Sequence, residues 1–443
     1  MHTLEQLRAG ELQGIRRLDL SCGLSELPPE IYGLADTLEV LNLSDNALST
    51  LPHELTRLKK LRVLFCSGNP FTVLPEVVGD CPALETVGFK SCEIERVSAA
   101  AISRHLRWLI LTGNRICELP RALGDCSRLQ KLMLAGNRLR ALPASMASCT
   151  ALELLRIAAN QFAALPGWLF ELPRLSWLAY AGNPFCDALE AAALEAHPVA
   201  SIAWPQLELQ QPLGEGASGV ISRAQWTRDD GASIAAAVKL FKGAITSDGL
   251  PRSEMTACIA AGAHRGLIPV AGRIEGHPLA TSGLVMELID PRYRNLAGPP
   301  SLQSCSRDVY ADDLQFSSEG MLRMAGTIAS AVAHLHARGI LHGDLYAHNT
   351  LWDGDSEALI GDFGAASFFN ADQSRESQAL QRIETRAFGC LLEELLERCD
   401  ELQGSPIQSA LIELREACLQ ASPAQRPSMR DVEQALIVMA AGV

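Results

Sequence analysis

His342-Gly343-Asp344-Leu345-Tyr346-Ala347-His348-Asn349, followed thirteen residues after Asn349 by Asp362-Phe363-Gly364, governs the reading of the C-terminal half of this chain. Asp344, Asn349 and Asp362 all present oxygen donors, and Asn349 with Asp362 would suit a hard divalent cation. Each alone would be an ordinary turn or cap residue. Upstream, Leu322, Ala325, Ile328, Ala329, Val332 and Leu335 recur at helical spacing between Met321 and Gly339, which predicts a helix leading into the quoted stretch. Earlier still, Gly214-Glu215-Gly216-Ala217-Ser218-Gly219-Val220 predicts a strand, a glycine-rich turn and a second strand, whose backbone N–H groups an anion can approach unobstructed. Ala237-Val238-Lys239 then puts a lysine in an apolar strand, where by itself it would be read as snorkelling to solvent.

Met in this order, the four motifs resemble the signature set of the eukaryotic-type protein kinases, over residues 210–440. The resemblance implies an α+β bilobal kinase-like domain, with an N-lobe at about 210–289 and a C-lobe at about 290–443. It implies ATP and Mg2+ as cofactors, with Gly214, Gly216, Gly219 and Val220 over the phosphates and Lys239 on the α- and β-phosphates. Glu254, on the next helix, takes the place of the acid that pairs with that lysine, and Glu287 ends the strand leading to the adenine-binding hinge. Asp344 would orient the acceptor hydroxyl and take its proton, while Asn349 and Asp362 would hold the metal.

Several positions depart from the family pattern. Gly343 stands where many kinases carry arginine, so the clamp for a phosphorylated activation segment is missing and regulation should differ. Tyr346 replaces a lysine that commonly contacts the γ-phosphate in serine/threonine kinases. About twenty residues separate Asp362 from a helix expected to begin near Glu384, with no A-P-E sequence between them. Glu384 replaces an aspartate, and Arg426 lacks the glutamate with which its counterpart pairs. Ser367, Ser374 and Ser377 in this short segment are candidate autophosphorylation sites.

The N-terminal part repeats. Ile15, Leu38, Leu61, Leu84, Leu106, Leu129, Leu152 and Leu175 open eight units spaced by 23 residues, once by 22. Asn46, Asn69, Asn114, Asn137, Asn160 and Asn183 recur in register, with Cys92 substituting in the fourth unit, and Leu-Pro follows in most units. The pattern resembles the leucine-rich repeats, which implies an α/β solenoid over 1–186, a capping helix and linker over 187–209, and asparagines that form a structural ladder. Alternate strand residues place Phe65, Trp108, Ile110, Met133 and Trp177 on the concave face, an aromatic row that suits a protein partner or the chain's own kinase-like half.

Composition limits the alternatives. A net charge of −13 and a pI near 5.3 argue against a backbone-neutralising nucleic-acid protein. No secretory leader is legible, and runs such as Ala435–Val443 fall short of a membrane span, so a soluble, cytoplasmic, intracellular location is expected, with delivery into another cell left open. The thirteen cysteines include Cys81, Cys126 and Cys149 at one repeat position also filled by leucine, which reads as buried thiols in a reducing compartment. The expected function is an ATP- and Mg2+-dependent protein kinase, Ser/Thr in preference to Tyr, whose substrate or partner is recruited by the repeats. A pseudokinase scaffold, a small-molecule kinase and a repeat-based interaction module are the alternatives.

Overall fold

Each repeat contributes a three-residue strand at one register: β1 (Arg17–Asp19), β2 (Val40–Asn42), β3 (Val63–Phe65), β4 (Thr86–Gly88), β5 (Trp108–Ile110), β6 (Lys131–Met133), β7 (Leu154–Arg156) and β8 (Trp177–Ala179). The computed structural model describes residues 2–441 except Ala217, Ala244 and Gln373. The chain divides into two compact units, Met1–Arg174 and Leu175–Val443. The division falls inside the eighth repeat, which the repeat pattern alone would have kept with the solenoid to residue 186.

In the first unit β1 to β7 pair in parallel, and the central residues Leu18, Leu41, Leu64, Val87, Leu109, Leu132 and Leu155 lie opposite one another with no exposed surface. Pairing follows from the period: a constant repeat length brings identical positions into register, and the side-chain alternation of a strand sends the central residue inward. Helix α1 (Leu4–Arg8) opens the unit with a capping box between Thr3 and Gln6, and α2 (Val77–Asp80) stands in one repeat where others have a 3-10 turn. The Leu-Pro prolines precede those turns, at Pro52, Pro120, Pro143 and Pro166, where a fixed φ and a missing donor cost nothing.

The asparagine ladder is present as expected. Asn69 accepts at Oδ1 from Leu48 N–H (2.9 Å) and donates to the carbonyls of Leu43 (2.9 Å) and Cys66 (3.0 Å). Asn114, Asn137 and Asn160 repeat the arrangement. Cys92 stands in at this position with its thiol donating to the Cys66 carbonyl at 3.4 Å. The cysteines are free thiols; burial pushes Cys126 up to about 12 and Cys81 and Cys149 to about 11, which makes them inert core residues.

The second unit starts with β8, then α3 (Asp187–Ala196) and β9 (Ala200–Ala203). The segment read as a linker therefore donates a strand: β9 pairs in parallel with β13 (Val270–Glu275), Gly272 opposite Ala200. With β10 (Leu207–Glu215), β11 (Gly219–Thr227), β12 (Ser233–Phe241) and β14 (Gly283–Glu287) it forms a six-stranded sheet in the order β10-β11-β12-β14-β13-β9. Ile202, Leu207, Ala224, Ala236, Val238 and Val285 form its core, and α4 (Pro251–Ala261) follows β12 in the chain. A short strand β15 (Arg294–Asn295) precedes the helical part, which begins with α5 (Ser318–Ala337), capped by Ser317 and buried along the periodic face seen in the sequence.

Strand β16 (Ile340–Leu341) leads from α5 into the quoted stretch, and the hairpin β17 (Thr350–Trp352) and β18 (Ala358–Ile360) leads out of it. Strand β19 (Ser367–Phe368) pairs back on β16. The next helix, α6, spans Arg375–Leu396. It begins nine residues before Glu384, not near it, because Ser374 caps it by accepting from Ser377 N–H and Leu380, Ile383, Ala387, Phe388 and Leu391 extend its buried face. Helices α7 (Pro406–Cys418) and α8 (Met429–Ala440) complete the unit. Among the described residues no helix is long and apolar enough to cross a membrane.

Candidate active site

The glycine-rich turn closes β10 and β11 into a hairpin, with Glu215 opposite Val220 and Gly216 N–H donating to Gly219 O at 2.9 Å. Ala217 lies outside the described residues. A Cβ at Gly214 or Gly216 would meet nothing within 4 Å, whereas Gly219 is packed against the Leu240 carbonyl and admits no side chain.

Lys239 comes off β12 and forms a buried ion pair with Glu254 on α4. Burial pulls the Lys239 ammonium down, but the Glu254 carboxylate, with smaller contributions from Cys258 and Asp362, outweighs it and holds the lysine above its ordinary value. Burial pushes Glu254 up, the Lys239 charge opposes this, and the Asp362 carboxylate adds to the upward push. Lys239, Glu254 and Asp362 thus share one electrostatic neighbourhood, and a cation on Asp362 would relieve the repulsion between the two acids.

On the opposite side, Asn349 Nδ2 donates to Asp344 Oδ2 (2.8 Å) and Asp344 O (3.0 Å), which leaves the Asn349 amide oxygen for another partner. The Asn349 carbonyl accepts from Gly361 N–H at 2.9 Å, tying the quoted stretch to the residue before Asp362. Asp362 sits at φ 52°, the left-handed region that a non-glycine residue seldom adopts, with its Oδ1 taken by Gly364 N–H at 3.0 Å. Among the described residues no group of three or more His, Cys, Asp or Glu is placed to hold a metal alone. A cation here would take Asn349 and Asp362 and complete its shell with phosphate and water, which is how Mg2+ is usually held.

Glu287, expected at the adenine-binding end, pairs with Ala236 and donates its N–H to Pro269 O at 3.0 Å. Glu384 is fully buried within α6 and accepts from His342 N–H (3.2 Å), Gly343 N–H (2.7 Å) and His336 Nε2 (2.8 Å). Burial pushes its carboxyl up, but the His336 and His342 contacts and the Gly343 N–H hold it below the ordinary carboxylate range. Arg426 donates to the carbonyls of Gln420 (2.8 Å) and Arg382 (3.1 Å), and burial, with Arg386 beside it, lowers it to about 9.

The structure adds residues that sequence reading missed. Asp308, from the irregular segment before α5, accepts from His348 N–H (3.0 Å) and bonds His348 Nδ1 (2.7 Å). Asn295 Nδ2 donates to the His348 carbonyl. Neither lies in a periodic or motif-bearing stretch, so no local signal pointed to them. Ser367 is fully buried and its Oγ accepts from Tyr180 N–H at 3.0 Å, and Ser377 is buried inside the cap of α6, so neither stands ready as a phosphate acceptor in this conformation. Trp177, expected on an open concave face, is 2% exposed: it stacks on Tyr346 (centroids 4.2 Å, 8°) and donates to Leu345 O at 3.0 Å. Phe65, Trp108, Ile110 and Met133 remain half-buried on β3, β5 and β6, with the Lys131 ammonium 4.3 Å over the Trp108 ring.

The glycine-rich hairpin, the buried Lys239–Glu254 pair, the bonded Asp344 and Asn349 and the left-handed Asp362 all fall in the C-terminal half of the chain. Comparison with known proteins shows what that half is similar to. Residues 207–388 match the family described as protein tyrosine and serine/threonine kinase, and residues 37–58 match the leucine rich repeat. The chain is similar to leaf rust 10 disease-resistance locus receptor-like protein kinase-like 1.3 of Arabidopsis thaliana, 33% identical over 100 residues, 22% of this chain and 14% of that protein. It is also similar to CBL-interacting protein kinase 22 of Oryza sativa subsp. japonica, 30% identical over 179 residues, 38% of this chain and 37% of that one. Fibroblast growth factor receptor 1 of Pleurodeles waltl is 28% identical over 174 residues, 36% of this chain and 21% of the receptor. The chain thus spans between about a seventh and somewhat over a third of these relatives' length. It carries leucine-rich repeat sequence in its N-terminal part and a protein kinase domain in its C-terminal part.

Proposed function

We propose that the chain is an ATP- and Mg2+-dependent protein kinase that transfers the γ-phosphate to a protein hydroxyl, Ser or Thr in preference to Tyr. The observation that supports this reading is that Glu254, paired with Lys239, and Asp362 both reach the same point beside Gly364, where an added Cβ would lie 3.8 Å from Glu254 Oε2 and 3.0 Å from Asp362 Oδ1, with Asn349 bonded to Asp344 and its amide oxygen left over. Lys239, kept charged by Glu254, would bind the α- and β-phosphates of the nucleotide. Asn349 and Asp362 would hold Mg2+, which would supply charge neutralisation to the transferring phosphate when bound. Asp344, fixed by the Asn349 amide, orients the acceptor hydroxyl and receives its proton.

Only twelve residues lie between Asp362 and the start of α6, and part of that stretch is the buried strand β19. So short a segment offers little surface to a peptide, which favours recruitment of the substrate by the half-buried row Phe65, Trp108, Ile110 and Met133; a tethered recognition surface raises effective concentration. The test is purified full chain with Mg2+, labelled ATP and generic protein substrates, followed by phosphosite mapping. Label on serine or threonine that disappears in Asp344→Asn supports the proposal; ATP turnover with no labelled protein contradicts it and points to a small-molecule acceptor.

A further inference from the structure

Three departures from the kinase pattern meet at one place in the second unit. Gly343 has φ 73°, and a Cβ there would sit 2.5 Å from Ala365 O and 2.8 Å from Leu178 O. The position usually filled by arginine is therefore closed by the backbone of β8 itself. Tyr346, in the lysine's place, is covered by the parallel ring of Trp177, whose indole N–H also holds the Leu345 carbonyl. The short segment after Asp362 is held by Tyr180, which donates its N–H to Ser367 Oγ (3.0 Å) and its hydroxyl to Phe368 O (3.1 Å). Tyr180 is 1% exposed, so these bonds are shielded from water.

The contact continues to the lysine side of the site. Glu190 on α3 accepts from Gly182 N–H (3.2 Å) and from Ser253 Oγ (2.9 Å), and Ser253 immediately precedes Glu254 on α4. Arg386 of α6 reaches back to Ser176 Oγ at 2.7 Å. The eighth repeat and its cap thus touch the catalytic loop, the segment after Asp362 and the helix carrying Glu254.

Building on the kinase reading, we infer that the eighth repeat and α3 are positioning elements of the phosphotransfer site, Trp177 and Tyr180 fixing the Asp344 loop and β19, and Glu190 fixing α4. They do the work that a phosphorylated activation segment and its arginine clamp would otherwise do, so the site is set without phosphorylation. The kinase module of this chain begins at the eighth repeat rather than at the glycine-rich hairpin.

The experiment uses the full chain carrying Trp177→Ala, Trp177→Phe, Tyr180→Phe or Ser253→Ala, measuring kcat and KM for ATP on a generic protein substrate and amide exchange over residues 342–349. Displacing the Asp344 loop should lower kcat at least about tenfold in Trp177→Ala while KM for ATP moves less than about twofold. Trp177→Phe, which keeps a ring on Tyr346, should recover most of the rate. Ser253→Ala should act on the other parameter, raising KM for ATP as Glu254 loosens. Exchange at 342–349 should rise in Trp177→Ala while β1 to β7 stay protected. If Trp177→Ala disrupts folding, Tyr180→Phe, which loses one hydroxyl bond, should still lower kcat. Unchanged kcat in Tyr180→Phe and in a folded Trp177→Ala, with unchanged exchange, overturns the inference. Absence of transfer by the wild-type chain would instead overturn the function proposed above, and the exchange comparison would still decide whether the eighth repeat fixes the loop.

Discussion

Glu384 illustrates how a single buried carboxylate can set a loop. It accepts from two consecutive backbone N–H groups of the Asp344 loop and from His336, and its removal takes one buried, charge-assisted bond from each of these donors. Glu384→Ala should cost about 3–5 kcal/mol in denaturant unfolding, the range for breaking a buried charged contact. The pH dependence follows from its direction: folded Glu384 titrates below its unfolded value, so its contribution is complete above the unfolded pKa and is lost as pH falls through the folded one. The stability gap between wild type and Glu384→Gln should therefore narrow on acidification, and a gap that widens would contradict the assignment. Gly343→Arg, which writes back the family's usual residue, should lose activity rather than gain regulation, because the site is left-handed and closed by two carbonyls. Asp344→Asn should lower kcat on the order of 10²–10⁴-fold with nucleotide affinity retained, measured by steady-state phosphorylation and ligand titration.

At the level of elements, the repeats were the most legible part of the chain and α6 the least. A period of 23 residues puts Leu18, Leu41, Leu64 and their successors opposite one another, so spacing alone determined which residues face the core and which asparagines bond the turns. Asn114→Ala should cost about 1–3 kcal/mol in thermal or denaturant unfolding, since it removes the buried side-chain partner of Ile94 N–H and Phe89 O, while Leu111 O keeps Asn137. The start of α6 was hidden because its first turn, Ser374-Arg375-Glu376-Ser377, is as polar as a loop, and the cap that makes it helical is built from the serines themselves, Ser374 Oγ bonding Ser377 N–H and Oγ. Ser374→Ala should cost about 1 kcal/mol in unfolding free energy. Lys239, Glu254, Asp344, Asn349 and Asp362 could be picked out because ordered motifs surround them. Asp308 and Trp177 could not be given their contacts, since the groups they touch lie 40 and 168 residues away with no shared periodicity.

Across the chain as a unit, two different signals are combined: a periodic one that specifies a solenoid, and a sparse one of five polar residues on which the proposed site rests. The strand row expected to take a partner loses Trp177, which serves the kinase domain, and this leaves Phe65, Trp108, Ile110 and Met133 as the row on which recruitment is proposed. The proposed function rests above all on Lys239, Asn349 and Asp362 holding a metal–nucleotide pair together. Equilibrium titration of ATP against the full chain, with and without Mg2+, in wild type, Lys239→Met and Asp362→Asn, addresses this without recourse to any protein substrate. ATP should bind more tightly on adding Mg2+ in wild type, with that gain lost in Asp362→Asn and affinity reduced in Lys239→Met. ATP affinity that is indifferent to Mg2+ and the same in all three proteins would contradict it.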